Sequence, residues 1–377
     1  MSTFATLRFA RPAVAAFAAM GVLWGSFAAD LPDIKAMLGV DEARLGFLLL
    51  LTPVAAVAAM LIAPYAGKAF GRHALALSCL LMCAGFILPG QAPLILFPVA
   101  MMAAGAGTGL TDVLMNARVA AMENARGAPL MNLTHAAYSF GYAGGALLTG
   151  ALRQAGYAPP LVLALMAALA GLIALATLEA DGRIDGLTRP KGKGAAHLGW
   201  LPVLGGGMVL VAFMTENAAE NWSALHIEKT HGGSPTAGAL GPAIMAATMG
   251  VARLFGHGLA SRVPALWLLS GGAAVSALGA LTAAAALNPT MAYLGFFVMG
   301  IGSSVIAPTA FSLVGQSAAP EARARAVARA TLLGYFGYFF GPPLIGLVAG
   351  AFGLRFAFVF AALLLAGVPL LARAMRR

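Results

Sequence analysis

The sequence predicts an all-α membrane protein: twelve transmembrane helices in two pseudo-symmetric six-helix bundles. Three observations carry this. First, 60% of the 377 residues are apolar and 10% charged, against ~45–50% and ~25% in soluble domains. That composition excludes an ordinary soluble enzyme, a disordered chain and a secreted disulfide scaffold. Second, apolar runs recur about every 31 residues, room for a membrane helix of ~20 residues and a short loop. Third, the chain repeats itself. Phe140-Gly141-Tyr142, Gly145, Leu148 and Gly150 return as Phe336-Gly337-Tyr338, Gly341, Leu344 and Gly346, an offset of 336 − 140 = 196 residues. Pro93 and Pro289 share that offset. Six helices per repeat is even, so both halves enter the membrane in the same sense, as in a two-bundle transporter.

The runs fall at 12–33, 44–66, 73–90, 93–122, 130–153 and 159–178, then 200–226, 236–256, 264–287, 289–315, 326–350 and 354–373. They are continuous rather than alternating, which argues against a barrel. The first run follows Arg8 and Arg11, and Ser26-Phe27-Ala28 imitates a signal-peptide cleavage site. It is read as helix 1, because removing it would break the twelve-member pattern. Cys79 and Cys83 lie inside a run and read as packing residues. The polar stretch 179–199 reads as a cytoplasmic linker between an N-terminal bundle (1–178) and a C-terminal bundle (200–377). With both termini in the cytoplasm, only Lys35, Arg44, Arg153, Lys229 and Arg355 of the 23 Lys and Arg fall outside. The positive-inside rule therefore fixes the topology of a multi-pass membrane protein with both termini cytoplasmic. It also explains the net charge of +10 with no nucleic-acid partner.

Charge inside a bilayer is costly and is usually placed for function. Helices 3, 6, 9 and 12 are nearly pure hydrocarbon and read as lipid-facing scaffold. Helices 1, 4, 7 and 10 carry the polar residues and read as a cavity lining. At about 100° per residue, Gly105, Gly109, Asp112 and Asn116 share one stripe of helix 4. Ser26, Asp30 and Asp33 share one on helix 1. Glu216 and Glu220 share one on helix 7, with Asn217 and Asn221 beside them and Trp222 near the outer end. His135 lies one turn into helix 5. Arg118 is off the Asp112 face and reads as a snorkelling surface residue. Ion coupling needs a carboxyl group that changes protonation as the site opens to either side, and Asp112 and Glu216 are the first candidates. Each has a bland alternative. Asp30 and Asp33 flank Pro32 and could be loop residues, Glu220 could lie in the interface, and Trp24 and Trp222 could be interfacial anchors.

At this point the chain resembles the major facilitator superfamily over essentially its whole length. Within it, the chain is similar to the fucose permease branch of sugar/proton symporters. Trp24 and Leu31-Pro32-Asp33-Ile34 resemble that branch's Trp…Leu-Asn-Asp-Ile segment. Thr111-Asp112…Asn116 resembles its helix-4 carboxylate and asparagine, and Asn132-Leu133, His135 and Ser139-Phe140-Gly141 its helix-5 motif. A further bacterial group shares Asp112-Val113…Met115-Asn116, a glutamate before Trp222-Ser223, and Gly341-Pro342-Pro343. The resemblance implies that carboxylates of helices 1 and 4 form the proton-linked pair, which assigns Asp33 and Asp112, with Asp30 as the alternative. It also implies gating loops between helices 2 and 3 (Lys68, Gly71, Arg72) and helices 8 and 9 (Arg253, His257, Arg262). The first departs from the superfamily pattern: Lys68 and Ala69 precede Phe70-Gly71-Arg72-His73, with no aspartate.

The expected function is secondary active transport by alternating access: proton-coupled symport of a small, polar, neutral solute such as a sugar. The expected binding residues are Trp24, Asn116, His135, Tyr138, Glu216, Asn217, Glu220, Asn221, Trp222, Tyr335 and Tyr338. The lining is poor in cations, since only Arg118 and His135 qualify. The alternative is proton-coupled efflux of lipophilic or cationic compounds, which the 18 methionines suit. A non-transporting membrane sensor is a third reading. No His-Glu-x-x-His, Gly-x-Ser-x-Gly or nucleotide loop is present. An enzyme is therefore not expected, nor a cofactor or metal. The expected partners are the solute, the coupling ion H⁺ and the lipid bilayer, with the chain acting as a monomer.

Overall fold

A computed structural model describes residues 3–127, 129–182, 184, 198–255, 263–319 and 322–375. Among them every regular element is helical. Twelve spans follow one another. They are α1 (Thr3–Leu38), α2 (Glu42–Leu49 and Leu51–Phe70), α3 (Ala74–Ile87), α4 (Phe97–Arg126), α5 (Met131–Gln154) and α6 (Pro159–Ala174). After the linker come α7 (Leu201–Leu225), α8 (Pro235–Phe255), α9 (Ala265–Ala285), α10 (Pro289–Ser317), α11 (Arg323–Phe352) and α12 (Leu354–Ala366 and Val368–Ala374). Most of the linker, 185–197, and the positions of His257 and Arg262 lie outside the described residues.

The ends of the helices obey local chemistry. Asp41 caps α2 by accepting the Arg44 N–H at 2.7 Å, and Asn288 caps α10 by accepting that of Met291 at 3.0 Å. Glu123, near the end of α4, accepts the Met131 N–H at 2.9 Å and so caps α5 from outside. Pro289 opens α10 as expected. Its repeat mate Pro93 does not open α4: a turn intervenes and the helix begins at Phe97, with proline again in its first turn. At the other end of the repeat, α7 does not stop at Leu225 but runs on as one π-helical turn, His226–Thr230.

Water gives lipid-embedded helices little reason to associate, so close backbone approach through small residues has to do it. Gly141 of α5 lies against the Ala18 carbonyl of α1, where an added Cβ would come within 2.5 Å. Its repeat mate Gly337 lies against the Leu210 carbonyl of α7 in the same way. The duplicated glycines thus make the equivalent contact in each half, α5 on α1 and α11 on α7. The glycine stripe of α4 works as its spacing predicts: Gly105 and Gly109 meet the Thr52 and Ala56 carbonyls of α2.

The two halves meet along α5 with α8 and along α2 with α11. Gly346 seats against the Glu42 carbonyl and Gly46, and Gly350 against Ala43. These contacts lie toward the face opposite the chain termini, here the far face. The terminal face is marked by Arg11, whose guanidinium donates to the Leu178 carbonyl at 2.7 Å, and by Met375 beside Val314, Ala326 and Leu201.

Candidate functional site

Between the halves lies a cavity of about 310 Å³. Seven helices line it: α1, α2, α4 and α5 from one half, and α7, α8 and α11 from the other. The hydrocarbon helices α3, α6, α9 and α12 contribute nothing to it, in line with their reading as scaffold. Helix α10 was expected to line it and does not. Ser303 bonds Ser276 of α9 at 2.9 Å and Ser304 bonds its own helix's Ile301 carbonyl at 2.7 Å, so its hydroxyls are spent on packing.

Asp112 stands in the cavity wall near the middle of α4. Its Oδ2 accepts from the Tyr335 hydroxyl of α11 at 3.2 Å, a bond across the two halves, and its Oδ1 accepts from Asn116 Nδ2 at 3.1 Å. Asn116 itself is not in the wall; it holds Asp112. From α7, Glu216, Asn217, Glu220 and Asn221 all face the cavity. One oxygen of Glu216 and the carboxamide oxygen of Asn217 are buried with no hydrogen-bond partner among the described residues. Glu216 is 5% exposed and Asn217 8%, while Glu220 is partly open to the space.

Aromatic rings close the wall. Trp24 is held edge-on by Phe86 at 5.0 Å and Phe27 at 5.9 Å. Phe213 stacks on Tyr338 at 4.7 Å, and Tyr335 lies 6.0 Å from both. Tyr138 and His135 also face in, His135 edge-on to Phe17 at 4.9 Å. Trp222 is elsewhere. It is fully buried, and its ring lies beside Gly346 of α11. Two residues beyond Glu220, it points about 200° away on the helix.

Arg253 was read as a gating-loop residue, but it belongs to α8 and lines the cavity. The cavity therefore holds a guanidinium that the sequence reading missed. Arg118 is no part of it, in keeping with its reading as a snorkelling surface residue: it pairs with Glu179 at 2.7 Å and donates to the Asp181 carbonyl at 2.9 Å on the terminal face. Lys68 and Arg72 are exposed at the end of α2, and the Arg72 segment packs against Gly182 of the linker rather than across the halves.

Helix 1 departs from expectation as well. The Ser26, Asp30 and Asp33 stripe faces α5, not the cavity. Ser26 accepts from Thr149 at 2.8 Å. One turn on, Arg153 of α5 spends all five of its N–H donors. Nε and Nη2 hold Asp33 at 2.8 Å each, Nη1 and Nη2 hold Glu228 at 2.7 and 3.0 Å, and Nη1 also reaches the Ala29 carbonyl at 2.7 Å. Asp30 lies 3.6 Å from Nε, 0% exposed, with neither oxygen hydrogen-bonded among the described residues. Because Glu228 belongs to the other half, Arg153 ties the two halves together at the far face. Sequence reading had placed Arg153 among outer-loop charges, since it sits at the last turn of a helix.

Comparison with known proteins agrees with this architecture. Residues 204–377 match the Major Facilitator Superfamily. An uncharacterized MFS-type transporter of Yersinia pestis is 31% identical over 376 residues, covering 96% of this chain and 94% of that one. The chain belongs to the major facilitator superfamily. It is a membrane transporter of that type. Two solved superfamily folds superpose closely. The nucleoside transporter NupG does so with a TM-score of 0.77 at 13% identity, over 98% of this chain and 99% of its own. A D-xylose-proton symporter does so with 0.75 at 15%, over 96% and 98%. At those identities the likeness is one of fold. This superfamily member thus has its central cavity between two like bundles, which the Arg153 cluster ties together at the far face.

Proposed function

We propose that the protein is a secondary active transporter of the bacterial inner membrane, with both termini cytoplasmic. A proton exchanged at Asp112 drives a small organic solute through the central cavity by alternating access. The observation that carries this is the Tyr335–Asp112 bond: a carboxyl group in the cavity wall of one half is held by a hydroxyl of the other. Any movement of the halves must make or break that bond, so protonation and opening are linked. Asp33 and Asp30, assigned to the proton by resemblance, fit a different role: with Arg153 and Glu228 they form the outer gate. Division at 179–199 and the likeness to fucose permease-type symporters support the same two-bundle cycle.

Two solute classes remain from the sequence. Amides and tyrosine hydroxyls suit a neutral hydroxylated solute such as a sugar. The aromatic and methionine-bearing wall with unpaired glutamates favours the cationic alternative.

The test is a cross-link. An added Cβ on Gly350 would lie 3.3 Å from the Ala43 Cβ, close to the ~3.5–4.5 Å of a disulfide. Ala43→Cys with Gly350→Cys, in a background lacking Cys79 and Cys83, should form a bond that stops flux in proteoliposomes until reductant is added. Unchanged flux in the oxidised protein would remove alternating access at this seam. In the same assay Asp112→Asn should abolish uphill accumulation while solute exchange persists. Full uphill uptake would take Asp112 out of the coupling.

A further inference from the structure

The cavity wall holds three carboxylates, Asp112, Glu216 and Glu220, against one guanidinium, Arg253, and His135. They are not equivalent. Asp112 already has two donors, Tyr335 and Asn116. Glu216 and Glu220 have none among the described residues: no ion pair within 4.0 Å and no side-chain hydrogen bond. The neighbouring acceptor, the Asn217 carboxamide oxygen, is buried and equally unserved. Glu216, Asn217 and Glu220 thus line one side of a space whose donors, the Arg253 guanidinium and the tyrosine hydroxyls, form no hydrogen bond to them. A buried acceptor without a donor costs free energy, and an uncompensated charge within a membrane costs more.

We propose that this face binds an organic cation. A primary or secondary ammonium sits on Glu216, Glu220 and Asn217, and its ring body lies against the Phe213–Tyr338 stack. The inference deepens the reading of the cavity as the transport site and rests on it. Charge favours a cation over a neutral polyol. A polyol would supply hydrogen-bond donors to the glutamates but no charge, whereas an ammonium supplies both. Counted with every carboxyl ionised and His135 neutral, three carboxylates and Arg253 sum to two negative charges, of which a monocation compensates one and a proton the other. The walls agree. Aromatic faces attract cations, and Met20, Met60 and Met249 adapt to an apolar body. A volume of about 310 Å³ is at the small end of ligand pockets, which suits one or two rings.

The test uses an isosteric pair on the purified full-length protein: 2-phenylethylamine, its alcohol 2-phenylethanol, and D-xylose as the polyol. Binding is read by calorimetry. The amine should bind saturably and about tenfold or more tighter than the alcohol, as loss of a charge-assisted bond predicts. Glu216→Gln with Glu220→Gln should weaken the amine about 10- to 100-fold and leave the alcohol unchanged. If the double variant does not fold, Glu220→Gln alone, at a partly exposed position, carries the same test. Equal binding of alcohol or D-xylose, retained amine affinity in the variant, or no amine binding each overturns the proposal. Flux separates this from the transport reading. Movement of D-xylose but not the amine would overturn the cation and leave the transporter standing. Amine flux unaffected by the Ala43–Gly350 cross-link would overturn alternating access while the cation site stands.

Discussion

Arg153 and Glu216 are both charged groups buried in the membrane-spanning part of the protein, and they keep opposite company. Arg153 has every N–H donor engaged and joins three helices from two halves. Glu216, on the α7 helix that also leads to Glu228, faces space with an oxygen unpartnered. The first is charge used to hold protein to protein. The second is charge left available to something that enters. Intramembrane charge signals function in general, but its partner list decides which kind.

Substitutions should separate the two. The largest effect is expected at Arg153. Removing one partner of a buried ion pair costs about 3–5 kcal/mol, so Arg153→Ala should lower the thermal unfolding midpoint in detergent markedly. Neutralising its partners with Asp33→Asn and Glu228→Gln in that background should recover part of the loss. A full-stability Arg153→Ala would mean the cluster holds nothing. Next is the α2–α11 seam. Gly346→Val places side-chain atoms where a Cβ already meets the Glu42 carbonyl at 2.6 Å. Overpacking of this sort costs about 1–3 kcal/mol. It should also favour the state open at the far face, read as faster labelling of a cysteine placed at Asn221; unchanged labelling would exclude the seam as a closing element. Tyr335→Phe loses one hydrogen bond, worth about 0.6 kcal/mol in membrane proteins, and should move the pH dependence of uptake more than stability. An unmoved pH profile would uncouple Tyr335 from Asp112. Smallest is the loss at Glu216→Gln, which breaks no protein hydrogen bond or ion pair, so the unfolding midpoint should not fall. A large destabilisation would show Glu216 to be structural.

The sequence made the scaffold legible because membrane helices announce themselves by length and hydropathy, and helix ends agree with the runs to within a few residues except at the N-terminus. There α1 reaches back to Thr3, carrying Arg8, Arg11 and Pro12 inside the helix. Helical spacing also located the α7 carboxylates and Asp112, whose faces are fixed by one helix each. It failed where a partner on another helix decides the role. Asp30 and Asp33 share a true stripe, yet spacing cannot say that the stripe meets Arg153 rather than the cavity. Arg253 reads as loop charge until α8 is seen to extend through it. Trp222, two residues from Glu220, was kept as a ligand contact by proximity in sequence, although proximity on a helix is measured in angle.

The π-turn at His226–Thr230 gives the length of this chain a meaning. An α-helix advances about 100° per residue, so deleting one residue of the turn ahead of Glu228 would swing Glu228 about a quarter-turn off Arg153. The cavity residues Glu216 and Glu220, upstream on the same helix, would stay where they are. The angular relation between lock and ligand site is therefore stored as a single surplus residue, a form of information that insertion or deletion can erase and that no substitution at Glu228 can replace.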